Sequence, residues 1–176
     1  LKSWIDAGLS IEKLALNVSA AEFRNPAYTE KLLERLAIHG LAPSLLEIEI
    51  TETAFLDAGV SNVLTGLELL RSAGVTVALD DFGTGFSSLS QLRDLPVDMI
   101  KIDRSFVDGL DKRTKDRSII EAVLTLGTAL GMETIAEGVE TAAQAEFLAE
   151  RGCTFAQGYF YAPAVDAPQA RMQLIG

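Results

Sequence analysis

Six short apolar runs, each followed by a stretch of helical periodicity, set the tightest limit on what this chain can fold into. The runs are Leu14–Val18, Leu46–Ile50, Val75–Leu79, Met99–Ile102, Glu133–Ala136 and Thr154–Gln157. A helical turn from Leu1 to Ala7 precedes the first. Between the runs, Tyr28, Leu32, Leu33 and Leu36 recur at helical spacing, as do Val60, Val63, Leu64, Leu67 and Leu70. Further helices are predicted near Ser88–Arg93, over Ile119–Leu130, over Ala142–Ala149 and over Ala167–Leu174. Strand followed by helix, six times over, predicts parallel strands joined by right-handed crossovers. No linker, charge block or low-complexity stretch divides the 176 residues, so they read as one α/β unit.

Composition narrows the function classes. There are 25 acidic against 15 basic residues, a formal charge of −10, which argues against a duplex nucleic-acid partner. No apolar run approaches the ~18 residues of a membrane span, so no membrane contact is expected. With one cysteine, Cys153, and one histidine, His39, neither a disulfide framework nor a Cys- or His-based metal site can be built. His39 in the last turn of a helix and Cys153 as a small apolar residue need no catalytic role.

The polar residues are informative by position. Asn17 ends the first run, Glu49 and Glu52 the second, Asp80 and Asp81 the third, Lys101 and Asp103 the fourth; Glu137 and Glu140 follow the fifth and Gln157 ends the sixth. In a β/α barrel the C-terminal strand ends ring the mouth that holds the chemistry. A rim of carboxylates suits a hard divalent cation, which prefers oxygen ligands. Each residue also has a plain structural reading. Asp80-Asp81 before Phe82-Gly83 suits a turn, Asn17 a cap, Lys101 and Asp103 a surface ion pair, and Glu140 a helix start. Recurrence at every strand end favours the functional reading over these. Asp81-Phe82-Gly83 has no kinase catalytic loop beside it, and Gly83-Thr84-Gly85 lacks the third glycine of a dinucleotide fingerprint.

Taken together, Asn17-Val18-Ser19, Glu49-Ile50-Thr51-Glu52, Asp80-Asp81-Phe82-Gly83-Thr84-Gly85, Pro96-Val97-Asp98, Lys101-Ile102-Asp103, Ala136-Glu137-Gly138-Val139-Glu140-Thr141 and Gln157-Gly158-Tyr159 resemble the EAL family of cyclic-di-GMP phosphodiesterase domains. The blocks follow the family's order over nearly the whole chain. The resemblance implies a modified TIM (β/α)8-type barrel that hydrolyses cyclic-di-GMP to the linear dinucleotide with two Mg2+ or Mn2+ ions, with Ca2+ as an inhibitor. It implies that Asn17, Glu49 and Asp80 hold the first metal and that Asp80 bridges to the second beside Asp81. It places Glu137 near the attacking water as ligand or base, and Lys101 on that water or the phosphate. Asp103 and Gln157 complete the inner shell, Glu52 and Glu140 support the rim loops, and Phe82, Gly83, Gln157 and Gly158 meet substrate.

The Glu-Ala-Leu signature itself is absent; Glu121-Ala122-Val123 lies inside a helix. A full barrel takes ~250 residues and eight strands. The expectation is therefore a single EAL-type domain over 1–176 that lacks its N-terminal portion, the first two strands and the signature glutamate. Its open edges predict a homodimer or other self-association. Phe86 and Ala162 stand where the family often has tyrosine and a basic residue. The resemblance further implies a cytoplasmic domain in a parent chain with a sensor or diguanylate cyclase-like domain, membrane-anchored in some members of the family. The alternative within the family is a non-catalytic cyclic-di-GMP receptor or docking domain.

Overall fold

The computed structural model describes residues 1–55, 60–83, 89–110 and 114–175. Its strands are β1 (Leu14–Asn17), β2 (Leu46–Thr51), β3 (Thr76–Phe82), β4 (Met99–Ile102), β5 (Glu133–Ala136) and β6 (Phe155–Ala156). Its helices are α1 (Lys2–Asp6), α2 (Tyr28–Ile38), α3 (Val60–Ser72), α4 (Leu89–Asp94), α5 (Arg104–Val107), α6 (Thr114–Leu130), α7 (Ala142–Glu150) and α8 (Ala167–Ile175). All strand pairs are parallel, and the strands lie side by side in chain order, β1 to β6. This is the expected α/β alternation, a curled half-barrel of parallel strands.

The core sits where the strands are covered on both faces. β2 and β4 are buried along nearly their whole length, as a parallel sheet requires. Helices seal it with one apolar stripe each. Val63, Leu67 and Leu70 of α3 and Ile120, Val123 and Leu124 of α6 are buried at helical spacing. Gly66 lets α3 approach a 3-10 turn at Glu22–Arg24: a Cβ there would lie 2.5 Å from the Phe23 ring. α6 begins at Thr114, ahead of the apolar pattern that announced it at Ile119, with Asp116 in its first turn, where an acid meets the helix dipole favourably. α7 starts on a capping box between Thr141 and Gln144.

β3 departs from regularity where the site begins. Its register with β4 shifts between Leu79 and Phe82, and Asp81 has φ 55°, the one positive φ among the described non-glycine residues. Adjacent residues of a regular strand point to opposite faces. The bulge rotates Asp81 out of that alternation, so that Asp80 and Asp81 serve one rim. The loop carrying Thr84, Gly85 and Phe86, together with Ser88, lies outside the described residues.

The two outer strands are unlike the rest. β1 is exposed along its length, with Leu14 45% and Leu16 39% accessible, and Phe155 of β6 is 48% accessible. Among the described residues β1 pairs only with β2 and β6 only with β5. An apolar strand with an unpaired edge is a template for another chain. Light scattering of the purified 176-residue chain is therefore expected to give a mass above that of a monomer, and Leu16→Lys to lower it; a stable wild-type monomer would contradict this.

Inside the curl, Glu47 of β2 is buried on the same face as Glu49, with Lys13 Nζ 4.0 Å from its Oε2. Burial pushes its carboxyl above the usual range; Lys13 pulls the other way. A raised folded pKa means that ionising Glu47 costs folding free energy, a cost absent below its unfolded pKa and present once pH exceeds the folded value. Glu47→Gln is expected to be more stable than wild type in urea at pH 7, with the difference closing as pH falls below ~4.

Candidate active site

The C-terminal strand ends converge on one side chain. Lys101, in the middle of β4, is 3% exposed. Its Nζ lies 2.8 Å from Glu49 Oε1, 3.0 Å from Asp80 Oδ1 and 2.6 Å from Glu137 Oε1. These partners come from β2, from β3 and from the segment after β5. Burial works against the charge on Lys101, but hydrogen bonds to Glu137, Glu49 and Asp80 outweigh it and hold the ammonium above the usual lysine range. One ammonium facing three carboxylates leaves negative charge uncompensated. Burial pushes Glu137 above the usual carboxylate range, with Lys101 opposing and Asp80 and Glu49 reinforcing. Asp81 is pushed up by burial, then by the charges of Asp80 and Asp103.

One carboxylate oxygen from each of Asp80, Asp81 and Glu137 falls within 4.8 Å of the others. A hard cation takes oxygens at ~2.0–2.5 Å, so this donor set fits Mg2+ or Mn2+ in chemistry and in spacing. Asn17 lies opposite Glu49 in the β1–β2 register and is exposed. Gln157 Nε2 donates to Glu137 Oε1 at 2.8 Å, so that oxygen receives both Lys101 and Gln157.

The remaining predicted residues stand around this centre in different roles. Glu52 is buried and its Oε1 accepts from the Gly83 N–H at 2.7 Å, at the root of the glycine-rich loop. Phe82 is buried in the core cluster. Asp103 caps α5, accepting from the Ser105 N–H at 3.0 Å and from the Ser105 hydroxyl, and its side chain also reaches Asp81. Glu140 stands apart from the carboxylate cluster: Arg104 donates to its Oε1 at 2.6 Å. Lys101 and Asp103 make no ion pair with each other among the described contacts. His39 closes α2, and Cys153 is half-buried, its thiol pushed up by burial.

Sequence reading passed over Arg104. Its signal was Gly138, where a Cβ would come within 2.3 Å of Arg104 Cγ. Arg104, Glu137, Gln157, Gly158 and Tyr159 line a cleft of about 410 Å³ beside the carboxylates. Gly158 is required for its shape: a Cβ there would lie 2.2 Å from the Val139 carbonyl oxygen. Val139 N–H donates to the Gln157 carbonyl at 3.0 Å, so the same contact places Gln157.

Comparisons with known proteins agree with this geometry. Residues 1–164 match the EAL domain family. The chain is 41% identical to the bifunctional diguanylate cyclase/cyclic di-GMP phosphodiesterase MucR of Pseudomonas aeruginosa over 96% of its own length and 24% of MucR. It superposes on the structure of the PaMucR phosphodiesterase in complex with c-di-GMP with a TM-score of 0.87 at 38% identity, covering 96% of this chain and 68% of that one. With the EAL domain of Mycobacterium smegmatis DcpA the TM-score is 0.92 at 36% identity, covering 99% of this chain and 78% of that one. Klebsiella pneumoniae BlrP1 in its manganese/c-di-GMP complex gives 0.80 at 31% identity over 90% of this chain and 41% of that one. The chain thus spans about a quarter of MucR's full length.

Any side chain at position 158 must push β6 away from Val139. Gly158→Ala is expected to cost about 2 kcal/mol of stability, read as a melting temperature lower by roughly 4–8 °C. It should also withdraw Gln157 from Glu137.

Proposed function

The chain belongs to the EAL domain family, and on that premise we propose that it carries the working rim of a metal-dependent cyclic-di-GMP phosphodiesterase. The observation that supports this most is the convergence of Glu49, Asp80 and Glu137, from three separate strand ends, on the buried Lys101. The relatives add weight: NbdA of Pseudomonas aeruginosa, 37% identical over 92% of this chain, is a cyclic di-GMP phosphodiesterase.

In this reading Asn17, Glu49 and Asp80 would hold one cation, and Asp80, Asp81 and Glu137 would offer oxygens to a second, Mg2+ or Mn2+ in both. When bound, such ions acidify a water and neutralise charge on the phosphate. Glu137 takes the proton of the attacking water, and Gln157 keeps its carboxylate in place. The water oxygen bonds to phosphorus, one P–O3′ bond breaks, and the freed 3′-oxygen takes a proton from a solvent water and leaves as a hydroxyl while Glu137 returns its proton to solvent. The product is the linear 5′-phosphorylated dinucleotide. Lys101 directs its positive charge at the non-bridging phosphate oxygens. Asp103 steadies Asp81 from the start of α5. The cleft beside Gln157 and Gly158 receives one end of the substrate, Gly83 shapes the opposite rim with Phe82 packed in the core behind it, Glu52 anchors that rim through Gly83, and Glu140 anchors Arg104.

We further propose that residues 1–176 are the last six β/α units of one EAL-type domain. Two strands and the signature glutamate would complete it beside β1 and β6; coverage of 78% of the DcpA domain supports this. MucR's bifunctional character supports a parent chain with a cyclase-like or sensory partner domain. A homodimer through the exposed edges belongs to the same reading. No described helix is long and apolar enough to cross a membrane; a cytoplasmic site of action goes with a substrate built from GTP.

Chromatographic assay of cyclic-di-GMP with this chain, alone and joined to its completing strands, tests the proposal. Linear dinucleotide should appear with Mg2+ or Mn2+, vanish with chelator or Ca2+, and fall at least ~10-fold in Asp80→Asn. Tight nucleotide binding without turnover in the completed domain would instead favour the receptor reading.

A further inference from the structure

The ammonium at the centre of the site and the divalent cations of the proposed reaction seek the same atoms. We propose that Lys101 is a resident counter-ion that competes with a divalent cation for Glu49, Asp80 and Glu137, and so sets the affinity of the site for metal. This rests on the metal reading of that cluster and goes beyond it.

Three observations carry the inference. The first is stoichiometric: an ammonium has three N–H donors, and here one oxygen from each of three carboxylates lies 2.6–3.0 Å away, so all its donors are engaged. The second is confinement. Ile100 and Ile102 on either side of Lys101 are fully buried, which fixes its backbone, and its own side chain is 4% exposed. With the side chain this buried and the backbone held, an incoming cation meets the charge of the ammonium at close range. The third is shared geometry. Asp80 and Glu137 both belong to the carboxylate group spaced for a cation, and both hold Lys101. A cation bound there is repelled by the ammonium and must share its oxygens. Where like charges are confined in a buried site, removing one strengthens binding of the other. By linkage the effect is reciprocal: a cation that enters loosens the hold on Lys101 and frees its N–H groups for a phosphate oxygen. The same side chain therefore keeps the carboxylates together during folding and is released toward substrate when metal arrives.

Calorimetric titration with Mn2+ tests this on the 176-residue chain. Lys101→Met is expected to bind Mn2+ at least ten-fold more tightly than wild type, and Lys101→Arg, which keeps the charge, no more tightly. In parallel, 15N NMR of wild type labelled at lysine should show the Lys101 Nζ resonance moving as Mg2+ saturates the site. Equal or weaker Mn2+ binding by Lys101→Met overturns the proposal, as does an Nζ resonance indifferent to saturating Mg2+. If Lys101→Met fails to fold, the wild-type NMR titration decides alone. Asp80→Asn separates the two levels. Wild-type binding that Asp80→Asn weakens, with no gain in Lys101→Met, leaves the metal reading standing and removes the counter-ion. No binding by wild type or by any variant overturns both.

Discussion

Everything at the rim depends on one buried charge. Carboxylates from three strand ends could not share so small a volume unless a cation stood among them, and Lys101 supplies that cation from within the sheet. Its position on the central part of the curl is what makes this possible. β4 lies between β3 and β5, with β2 one strand further, so a long side chain from β4 reaches partners on both sides. A lysine on an edge strand would reach only one. The arrangement is costly in desolvation, and the hydrogen-bond geometry is what offsets it.

Backbone irregularity does the rest. The bulge at Asp81 brings two consecutive acids to one rim, which regular pleating forbids. The glycine at 158 lets the end of β6 lie against Val139, and through that contact Gln157 meets Glu137. Glu52 ties the far side of the rim to the backbone at Gly83. Carboxylates therefore do two kinds of work here: some gather around positive charge, others hold loops by accepting backbone N–H groups.

Much of this was legible in the sequence because apolar runs and their polar termini are local signals. All six strands, every helix but the short α5 and the polar residue at each strand end could be read directly. What escaped reading is non-local. Nothing near Asp80-Asp81 announces a register shift, since register is decided by the pairing with β4. Lys101 and Asp103 sit two residues apart and invite each other as partners, yet strand geometry sends Lys101 inward while Asp103 turns to cap α5. Arg104 went unnoticed because its partner Glu140 lies far along the chain and only Gly138 betrays the close approach. β6 is shorter than its apolar run suggested, covering only Phe155–Ala156, although the Gln157 N–H still donates to the Ala136 carbonyl at 2.9 Å.

The identity of chain order and strand order has a consequence for how such a site comes into being. A sheet that grows in the order of synthesis lays Glu49 beside Asp80 before any lysine from β4 exists to separate them. Until that strand docks, the nascent interior is a pocket of like charge, and each added strand makes it worse. Arrival of β4 brings positive charge between Glu49 and Asp80 in a single step, and Glu137 can join only afterwards. The same residue that tunes the finished site thus acts earlier as a checkpoint: a half-made sheet is electrostatically unsatisfied, and the fourth strand is the point at which assembly becomes self-reinforcing.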